Sequence, residues 1–335
     1  MFFLFLEYNL VQFFIMSSAI IGVALLIDLI FGDPPLKIHP VVWMGSVISF
    51  LEKRLRNENP IIGKINSFIL LLSSVVIFTA PIFFIFYFYW EIFHPFNFME
   101  LIIYIILSGL ILKITFAVKC LRDYTYPIAL ALERGDIKKA REYLPYIVRR
   151  DPSKLTESGI ISAAIESIAE STVDGITSPL FYFAIFGVPG AIAYRVVNTL
   201  DSMVGYKDPD KIIIGMISAK ADDVLNYIPV RITFIIMIIS SVFTNGAPRS
   251  GLKIALRDHT AVESPNAGWT MATMAGILMI QLKKEGYYTL GDLKVPLYPS
   301  HIKEALYLFY LTCIFFIFFT LTFSTLIFAV IKWLC

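Results

Sequence analysis

The chain has 335 residues, of which 57% are hydrophobic and 16% charged, and its formal net charge is +2. Its mean hydropathy of +0.74 is too high for an ordinary soluble domain. The small net charge and the dispersed basic residues argue against a nucleic-acid-binding protein. Three cysteines stand far apart, without metal-ligand spacing or the density of a disulfide framework. The composition therefore indicates an integral membrane protein.

Four apolar runs are long enough to cross a bilayer, since a spanning helix needs about 20 such residues. They cover residues 10–31, 66–90, 100–118 and 306–334. Two further stretches, 180–197 and 228–245, are interrupted by Gly, Pro or Arg, and the sequence leaves open whether they are re-entrant, tilted or buried inside the protein. The pattern predicts an all-α, polytopic membrane protein with about five spanning or embedded helical segments.

Lysine and arginine placement orients these segments. Residues 119–179 carry nine Lys or Arg residues, whereas the connection 91–99 carries none. The positive-inside tendency therefore places 119–179 in the cytoplasm and the N-terminus outside. Because 246–305 is also basic, the two interrupted stretches must both span or both fail to span. We expect a single membrane domain over 1–335, with 119–179 as a helical cytoplasmic subregion broken at Gly135 and Asp136.

The segment 163–174, AAIESIAESTVD, places three carboxylates in apolar surroundings. On a helix, residues four and eight apart drift by about 40° and 80°, so Glu166, Glu170 and Asp174 are expected to share one face. Like charges at this spacing repel one another. We therefore expect a cation, either Mg²⁺ or a substrate ammonium, to bind against them, although a charged helix surface is the simpler alternative.

Three more polar strings follow, at residues 194–208, 220–231 and 264–269. In the first, Arg195, Asn198 and Asp201 recur every three residues, so a helix would align them. In the second, Asp222 and Asp223 lie near basic residues, and such carboxylates suit Mg²⁺ while the cations suit phosphate. An intramolecular ion pair in the first string and a helix N-cap in the second are the alternatives. A single site built from all four strings is a hypothesis.

Several strings, in order over nearly the whole chain, resemble the adenosylcobinamide-phosphate synthase family of cobalamin biosynthesis. They are DLIFGDPPLKIHPVVWMG (28–45), LPYIVRRDPSKL (144–155), ESIAESTVDGITSPLFY (166–182), VVNTLDSMVGYK (196–207), ADDVLNYIPVR (221–231) and SPNAGW (264–269). The resemblance implies a multi-pass enzyme of the cell membrane, with its active site facing the cytoplasm. It implies amide formation between adenosylcobyric acid, a corrinoid, and (R)-1-amino-2-propanol or its O-phosphate.

This reaction needs activation of a carboxylate, for which ATP with Mg²⁺ is the expected pair of cofactors. Within the resemblance, Glu166, Glu170 and Asp174 are the catalytic candidates, for metal binding or as the base that takes a proton from the ammonium group. Asp201, Asp222 and Asp223 are further metal-ligand candidates. The phosphate candidates are Arg195, Lys220 and Arg231, and the candidates for binding substrate amides are Asn198 and Asn266. His39 joins the substrate-binding candidates because it lies in a matching string. Membrane lipid and other corrinoid-pathway enzymes are the expected partners, and nucleic acid is not.

Other functions remain open at this point. A Mg²⁺-dependent membrane prenyltransferase would use similar Asn and Asp motifs, but KADDV at 220–224 is a poor second motif. A transporter would tolerate charges and broken helices within the membrane, but no internal repeat is visible in the sequence. A non-catalytic scaffold of the corrinoid pathway would tolerate loss of the carboxylates.

Overall fold

The computed structural model describes residues 7–57, 59–94, 96–148, 151–205 and 212–335, and these form an almost entirely helical protein. The helices are α1 (Leu10–Phe31), α2 (Pro40–Leu55), α3 (Pro60–Phe93), α4 (Phe98–Lys113), α5 (Val118–Glu133), α6 (Ile137–Tyr143), α7 (Glu157–Thr172), α8 (Ser178–Val204), α9 (Met216–Ser241), α10 (Pro248–Asp258), α11 (Ala267–Leu278) and α12 (Ser300–Leu334). The described residues also include one small antiparallel hairpin, formed by β1 (Leu282–Lys284) and β2 (Tyr288–Leu290). Residues 149–150 and 206–207 of the family-like strings lie outside the described residues.

Helix boundaries follow from local capping. Asn9 and Asn97 each form a capping box, with Gln12 and Glu100 respectively, at the starts of α1 and α4. Pro40 stands at the first position of α2, where its missing N–H costs no hydrogen bond. The predicted break at Gly135 and Asp136 is confirmed: Gly135 has φ 73° and Asp136 caps α6.

Among the described residues, six helical stretches are long and apolar enough to cross a membrane. They are Leu10–Phe31, Pro60–Phe93, Phe98–Glu133, Glu157–Val204, Met216–Ser241 and Ser300–Leu334. The prediction of an all-α, polytopic membrane protein is confirmed, with six such stretches where about five segments were expected. The first apolar run matches α1 at both ends, because a long, mainly apolar run is a strong signal for a spanning helix.

Helix α8 contains the break that the sequence left open. Gly187 has φ 68° and ψ −157°, a conformation outside the helical region. The rings of Tyr182 and Tyr194 stack with their centroids 5.5 Å apart. In an unbroken helix, residues twelve apart would be separated by about 18 Å. The two halves of α8 therefore fold back on each other at Gly187.

The chain divides into two compact units, each assembled from separated segments. The first comprises residues 1–116, 178–225 and 319–335, and in it α1 packs on α4 while α8 packs on α2, α3 and α4. The second comprises residues 117–177 and 226–318, and in it α11 packs on α10 and α7. The core of the second unit is apolar, since most residues of α7 and nearly all of α11 are buried. The expectation of one domain over 1–335 stays a prediction.

Candidate functional site

Glu166 is buried inside the second unit and is held by two hydroxyl groups. Its exposed fraction is 2%. The Ser162 hydroxyl donates to Oε1 and the Tyr288 hydroxyl donates to Oε2, each at 2.7 Å. Ser162 Oγ also accepts from the backbone N–H of Lys283, so this carboxylate ties α7 to the β1–β2 hairpin. Both hydroxyl partners were missed from sequence, because they belong to no charged pattern.

The other two carboxylates of the segment have different environments. Glu170 is exposed, whereas Asp174 is half-buried. Asp174 lies in a π-helical turn, Val173–Thr177, that directly follows α7. Such turns widen the helix and recur at functional sites. Here the turn lets the Gly175 carbonyl accept from the Ala117 N–H (3.2 Å), and Asp174 Oδ1 accepts from the Asn226 amide (3.3 Å).

In the first unit, the predicted alignment of Arg195 with Asn198 on one helix is present. Arg195 Nη1 donates to Asn198 Oδ1 at 3.1 Å, and its Nη2 donates to the Thr115 carbonyl. Asn198 is buried, and its amide donates to Asp222 Oδ1 at 3.3 Å. This chain of hydrogen bonds links α8 to α9. Asp201 and Asp223 are half-buried and Lys220 is exposed.

Arg231, in the second unit, is oriented by the string at 264–269. Its Nη1 donates to the Tyr227 carbonyl (2.7 Å) and to Asn266 Oδ1 (3.0 Å), and its Nη2 donates to the Pro265 carbonyl (3.4 Å). The guanidinium carbon lies 3.5 Å from the centre of the Tyr227 ring and 5.4 Å from that of Trp269. No ion pair joins Arg231 to a carboxylate within the described residues. The result is a fixed, half-buried cation.

The local backbone explains why this string has its sequence. Ser264 Oγ accepts from the N–H groups of Asn266 and Ala267 at the start of α11. Gly268 packs directly on the backbone of His259, where an added Cβ would lie 2.0 Å from the carbonyl oxygen. The string therefore begins a buried helix, presents the Asn266 side chain to Arg231 and permits close approach of His259.

His39 belongs to a charged group in the first unit. Its Nδ1 accepts from the Val41 N–H and caps α2, and its Nε2 lies 3.9 Å from Asp33. Asp33 also pairs with Lys113, whose Nζ is 3.2 Å from the fully buried Asp28. A signal for this group is visible in the sequence, since Lys113 follows twelve uncharged, mainly apolar residues at the end of α4. Its partners are about 80 residues away, beyond the reach of spacing arguments.

The carboxylates form no protein-only metal cage in the described part of the chain, where no three His, Cys, Asp or Glu residues group closely enough to hold an ion. The oxygen donors instead occur as carboxylate and amide pairs, Asp174 with Asn226 and Asp222 with Asn198. Such pairs fit Mg²⁺ that brings water and phosphate oxygens as its remaining ligands, which is the usual arrangement with nucleotides. The metal assignments stay predictions.

Residues 21–309 match the family described as CobD/Cbib protein. The chain belongs to this family. It is 42% identical over 285 residues to the cobalamin biosynthesis protein CobD of Dehalococcoides mccartyi, covering 85% of this chain and 90% of that protein. It is 39% identical over 274 residues to the probable cobalamin biosynthesis protein CobD of Methanothermobacter thermautotrophicus, covering 82% and 86% of the two chains. No solved structure matches the chain.

Membership confirms the resemblance that the ordered strings indicated. The matched region contains every predicted site residue, from His39 to Asn266. The family is one of cobalamin biosynthesis, so corrinoids are the class of compound with which this protein works. The roles of the individual residues stay predictions.

Proposed function

We propose that this protein is an adenosylcobinamide-phosphate synthase. It joins a carboxylate of adenosylcobyric acid to the amino group of (R)-1-amino-2-propanol or its O-phosphate. ATP activates the carboxylate by phosphorylating it, and the amine then displaces phosphate to give the amide. Family membership supports a corrinoid substrate, and the polar groups described above supply residue types that this reaction needs.

The observation that carries the proposal is the uncompensated guanidinium of Arg231. Phosphoryl transfer places negative charge on oxygen atoms, and a cation fixed in advance stabilises this charge without reorganising. Arg231 is fixed by Asn266, Pro265 and the Tyr227 ring and has no carboxylate ion-pair partner among the residues described. A cation held in this way is suited to binding a phosphate or carboxylate.

The carboxylates supply the second requirement. Mg²⁺ bound with the nucleotide would reduce the electrostatic repulsion between the phosphate oxygens and the substrate carboxylate. Asp174 is the candidate ligand in the second unit, and Asp201, Asp222 and Asp223 are the candidates in the first. Glu166, Glu170, Arg195, Lys220, Asn198 and His39 keep the predicted roles given above. We also propose that the reaction takes place on the cytoplasmic side, where nucleotide is available.

The test uses the full-length protein purified in detergent with adenosylcobyric acid, aminopropanol O-phosphate, ATP and Mg²⁺, and follows the amide by mass spectrometry. We expect product from the wild type and a loss of about 100-fold or more in Arg231→Met, the scale of removing one charge-stabilising group. Arg249→Met is the matched control, because Arg249 is an exposed arginine of α10 and is expected to leave the rate unchanged. Glu166→Gln and Asp174→Asn test the carboxylates in parallel.

Gel filtration and helical circular dichroism of each variant separate a lost site from a lost fold. Wild-type protein that forms no amide from either form of aminopropanol would overturn the proposal. Product formation that survives in folded Arg231→Met would keep the enzyme but remove Arg231 from its site.

A further inference from the structure

His259 differs from the other three histidines in the hydrogen bond that its ring makes. Its Nδ1 lies 3.0 Å from the Ala255 carbonyl oxygen, which can only accept. The proton of the neutral ring is therefore on Nδ1, and Nε2 presents its lone pair. His39 and His301 have the opposite arrangement, because their Nδ1 atoms accept from backbone N–H groups. His94 directs Nε2 to Glu7, 3.3 Å away.

The Nε2 lone pair of His259 is available to a ligand. The ring is half-buried, and within the described residues no side chain or backbone group hydrogen-bonds to Nε2. One face of the ring stacks on Trp269 at 3.9 Å between centroids, and the Nδ1 bond fixes rotation about the side-chain axis. His259 is thus a positioned acceptor.

His259 and Arg231 are held by the same tryptophan. Trp269 stacks on His259, packs against Phe234 at 4.7 Å between ring centroids, and lies under the Arg231 guanidinium. The close contact of Gly268 with the His259 backbone brings the two chain segments together. All of these residues belong to the second unit, and one indole ring lies beside both the Arg231 guanidinium and the His259 imidazole.

Amide formation requires a base, because an alkylamine is a cation at neutral pH, as the lysine side chain is. The family resemblance makes the carboxylates of 166–174 candidates for this duty or for metal binding. In the structure both oxygens of Glu166 accept hydrogen bonds from hydroxyls, and Asp174 Oδ1 accepts one from Asn226. These bonds engage the lone pairs that a proton would need. A neutral imidazole with an available nitrogen suits proton transfer near neutral pH better than a carboxylate.

We propose that His259 is the general base of the amide-forming step, a role that rests on the proposed function. Nε2 takes one proton from the ammonium group of aminopropanol or its phosphate, giving the free amine and an imidazolium. The amine nitrogen attacks the activated carbonyl carbon, the C–N bond forms and the bond to the phosphate oxygen breaks. Inorganic phosphate leaves with the bonding electron pair, and the second N–H proton passes to solvent.

The test compares two substitutions at position 259 in the full-length protein. His259→Asn keeps an amide N–H in place of Nδ1, so it retains the bond to the Ala255 carbonyl while it removes Nε2 together with the ring that stacks on Trp269. His259→Ala removes both nitrogens. If His259 is the base, both variants lose about 100-fold or more of the amide-forming rate. If the ring only caps the end of α10, His259→Asn keeps the wild-type rate and the proposal is wrong. His301→Asn is the matched control, since its amide oxygen replaces the accepting Nδ1.

A second nucleophile identifies the lost function as proton removal. The aminooxy analogue of aminopropanol O-phosphate is already neutral at neutral pH and needs no base before attack. We expect His259→Asn to use this analogue within a few-fold of the wild-type rate. An equal defect with both nucleophiles would overturn the base assignment. Wild-type protein that couples neither nucleophile would overturn the proposed function itself, whereas unchanged coupling of both by His259→Asn would overturn the base alone.

Discussion

At the scale of single residues, the polar groups of this protein are stabilised in pairs rather than one by one. Glu166 has two hydroxyl donors, and Asp28 has a lysine. A charge buried without such partners would cost several kcal/mol. Arg231 differs from these groups, since neutral carbonyl and amide oxygens and an aromatic ring hold it. The contrast separates groups that support the fold from a group suited to a ligand.

The first prediction concerns Lys113 and Asp28. Lys113→Met removes the cation that faces Asp28 and Asp33, and we expect a loss of about 3–5 kcal/mol in the free energy of unfolding. Adding Asp28→Asn should restore part of this loss, because it removes the buried negative charge. Denaturant unfolding in detergent measures both. Lys138→Met, at an exposed lysine, should change the free energy by no more than about 0.5 kcal/mol. A double variant as unstable as Lys113→Met would contradict the pairing.

At the scale of elements, the sequence predicted helices where hydropathy alone decides and missed features that depend on tertiary contact. The apolar run 10–31 gave α1 at its observed bounds. The β1–β2 hairpin was not predicted, because three-residue strands carry no periodic signal and this hairpin depends on Ser162 and Glu166 of α7. Gly187, Pro189 and Gly190 indicated an interrupted helix. That the two halves of α8 fold back on each other is visible only from the Tyr182–Tyr194 ring contact in the structure.

For the candidate site too, the sequence identified some residues and missed others that depend on tertiary contact. Composition and resemblance found Arg231 and Asn266, which are in contact across 35 residues of sequence. The aromatic residues Tyr227 and Trp269 that surround this guanidinium were missed, because an aromatic residue in an apolar chain carries no distinctive signal. His259 was missed for another reason: the property that distinguishes it is the direction of one hydrogen bond.

The second prediction concerns the break in α8. Gly187 has a positive φ with an extended ψ, a region that is open essentially only to glycine. Gly187→Ala should therefore lower the free energy of unfolding by about 1–3 kcal/mol, measured in detergent as above. Gly22→Ala is the control, since Gly22 lies in regular α1 and has nothing within 4 Å of an added Cβ. That variant should be neutral or slightly stabilising. Equal effects at the two positions would show that α8 is not broken at Gly187.

The third prediction is a pH dependence at the end of α10. Arg257 donates to both oxygens of Asp258 and the Gly291 N–H adds a third bond, so the pKa of Asp258 is held below its ordinary value although partial burial acts in the opposite direction. A carboxyl group with a lowered pKa stabilises the fold above the pH at which it titrates when unfolded, about 3.9. This contribution is lost as the pH falls through the folded pKa.

Asp258→Asn should therefore melt at a lower temperature than the wild type at pH 7, and the difference should shrink towards zero in the acid range below about pH 4. Thermal unfolding in detergent across this range provides the measurement. Glu285→Gln serves as the control, since the Glu285 side chain is 89% exposed and should show no difference at either pH. A difference in melting temperature between wild type and Asp258→Asn that stays constant with pH would contradict a lowered pKa of Asp258 in the folded protein.

At the scale of the whole molecule, the contact between the two ends of the first unit limits the membrane topology. Lys332 Nζ donates to the Tyr8 carbonyl at 2.6 Å, and the rings of Phe13 and Phe328 stack at 4.3 Å between centroids. The start of α1 and the end of α12 therefore lie on the same side. The chain must then cross the membrane an even number of times between residues 8 and 332. This agrees with the charge pattern, which required the two interrupted stretches to span together or not at all.

The last prediction tests sidedness with thiol labelling in intact cells. A membrane-impermeant reagent should label Cys335, which is exposed after the end of α12, and Glu7→Cys, beside the start of α1. It should label Lys139→Cys, in the basic segment 119–179, only after the cells are opened, because the positive-inside tendency places that segment in the cytoplasm. Cys120→Ser and Cys313→Ser remove the remaining thiols. Labelling of residues 7 and 335 from opposite sides would contradict the contact between the helix ends. Labelling of residue 139 in intact cells would invert the whole topology and place the proposed nucleotide chemistry on the wrong side of the membrane.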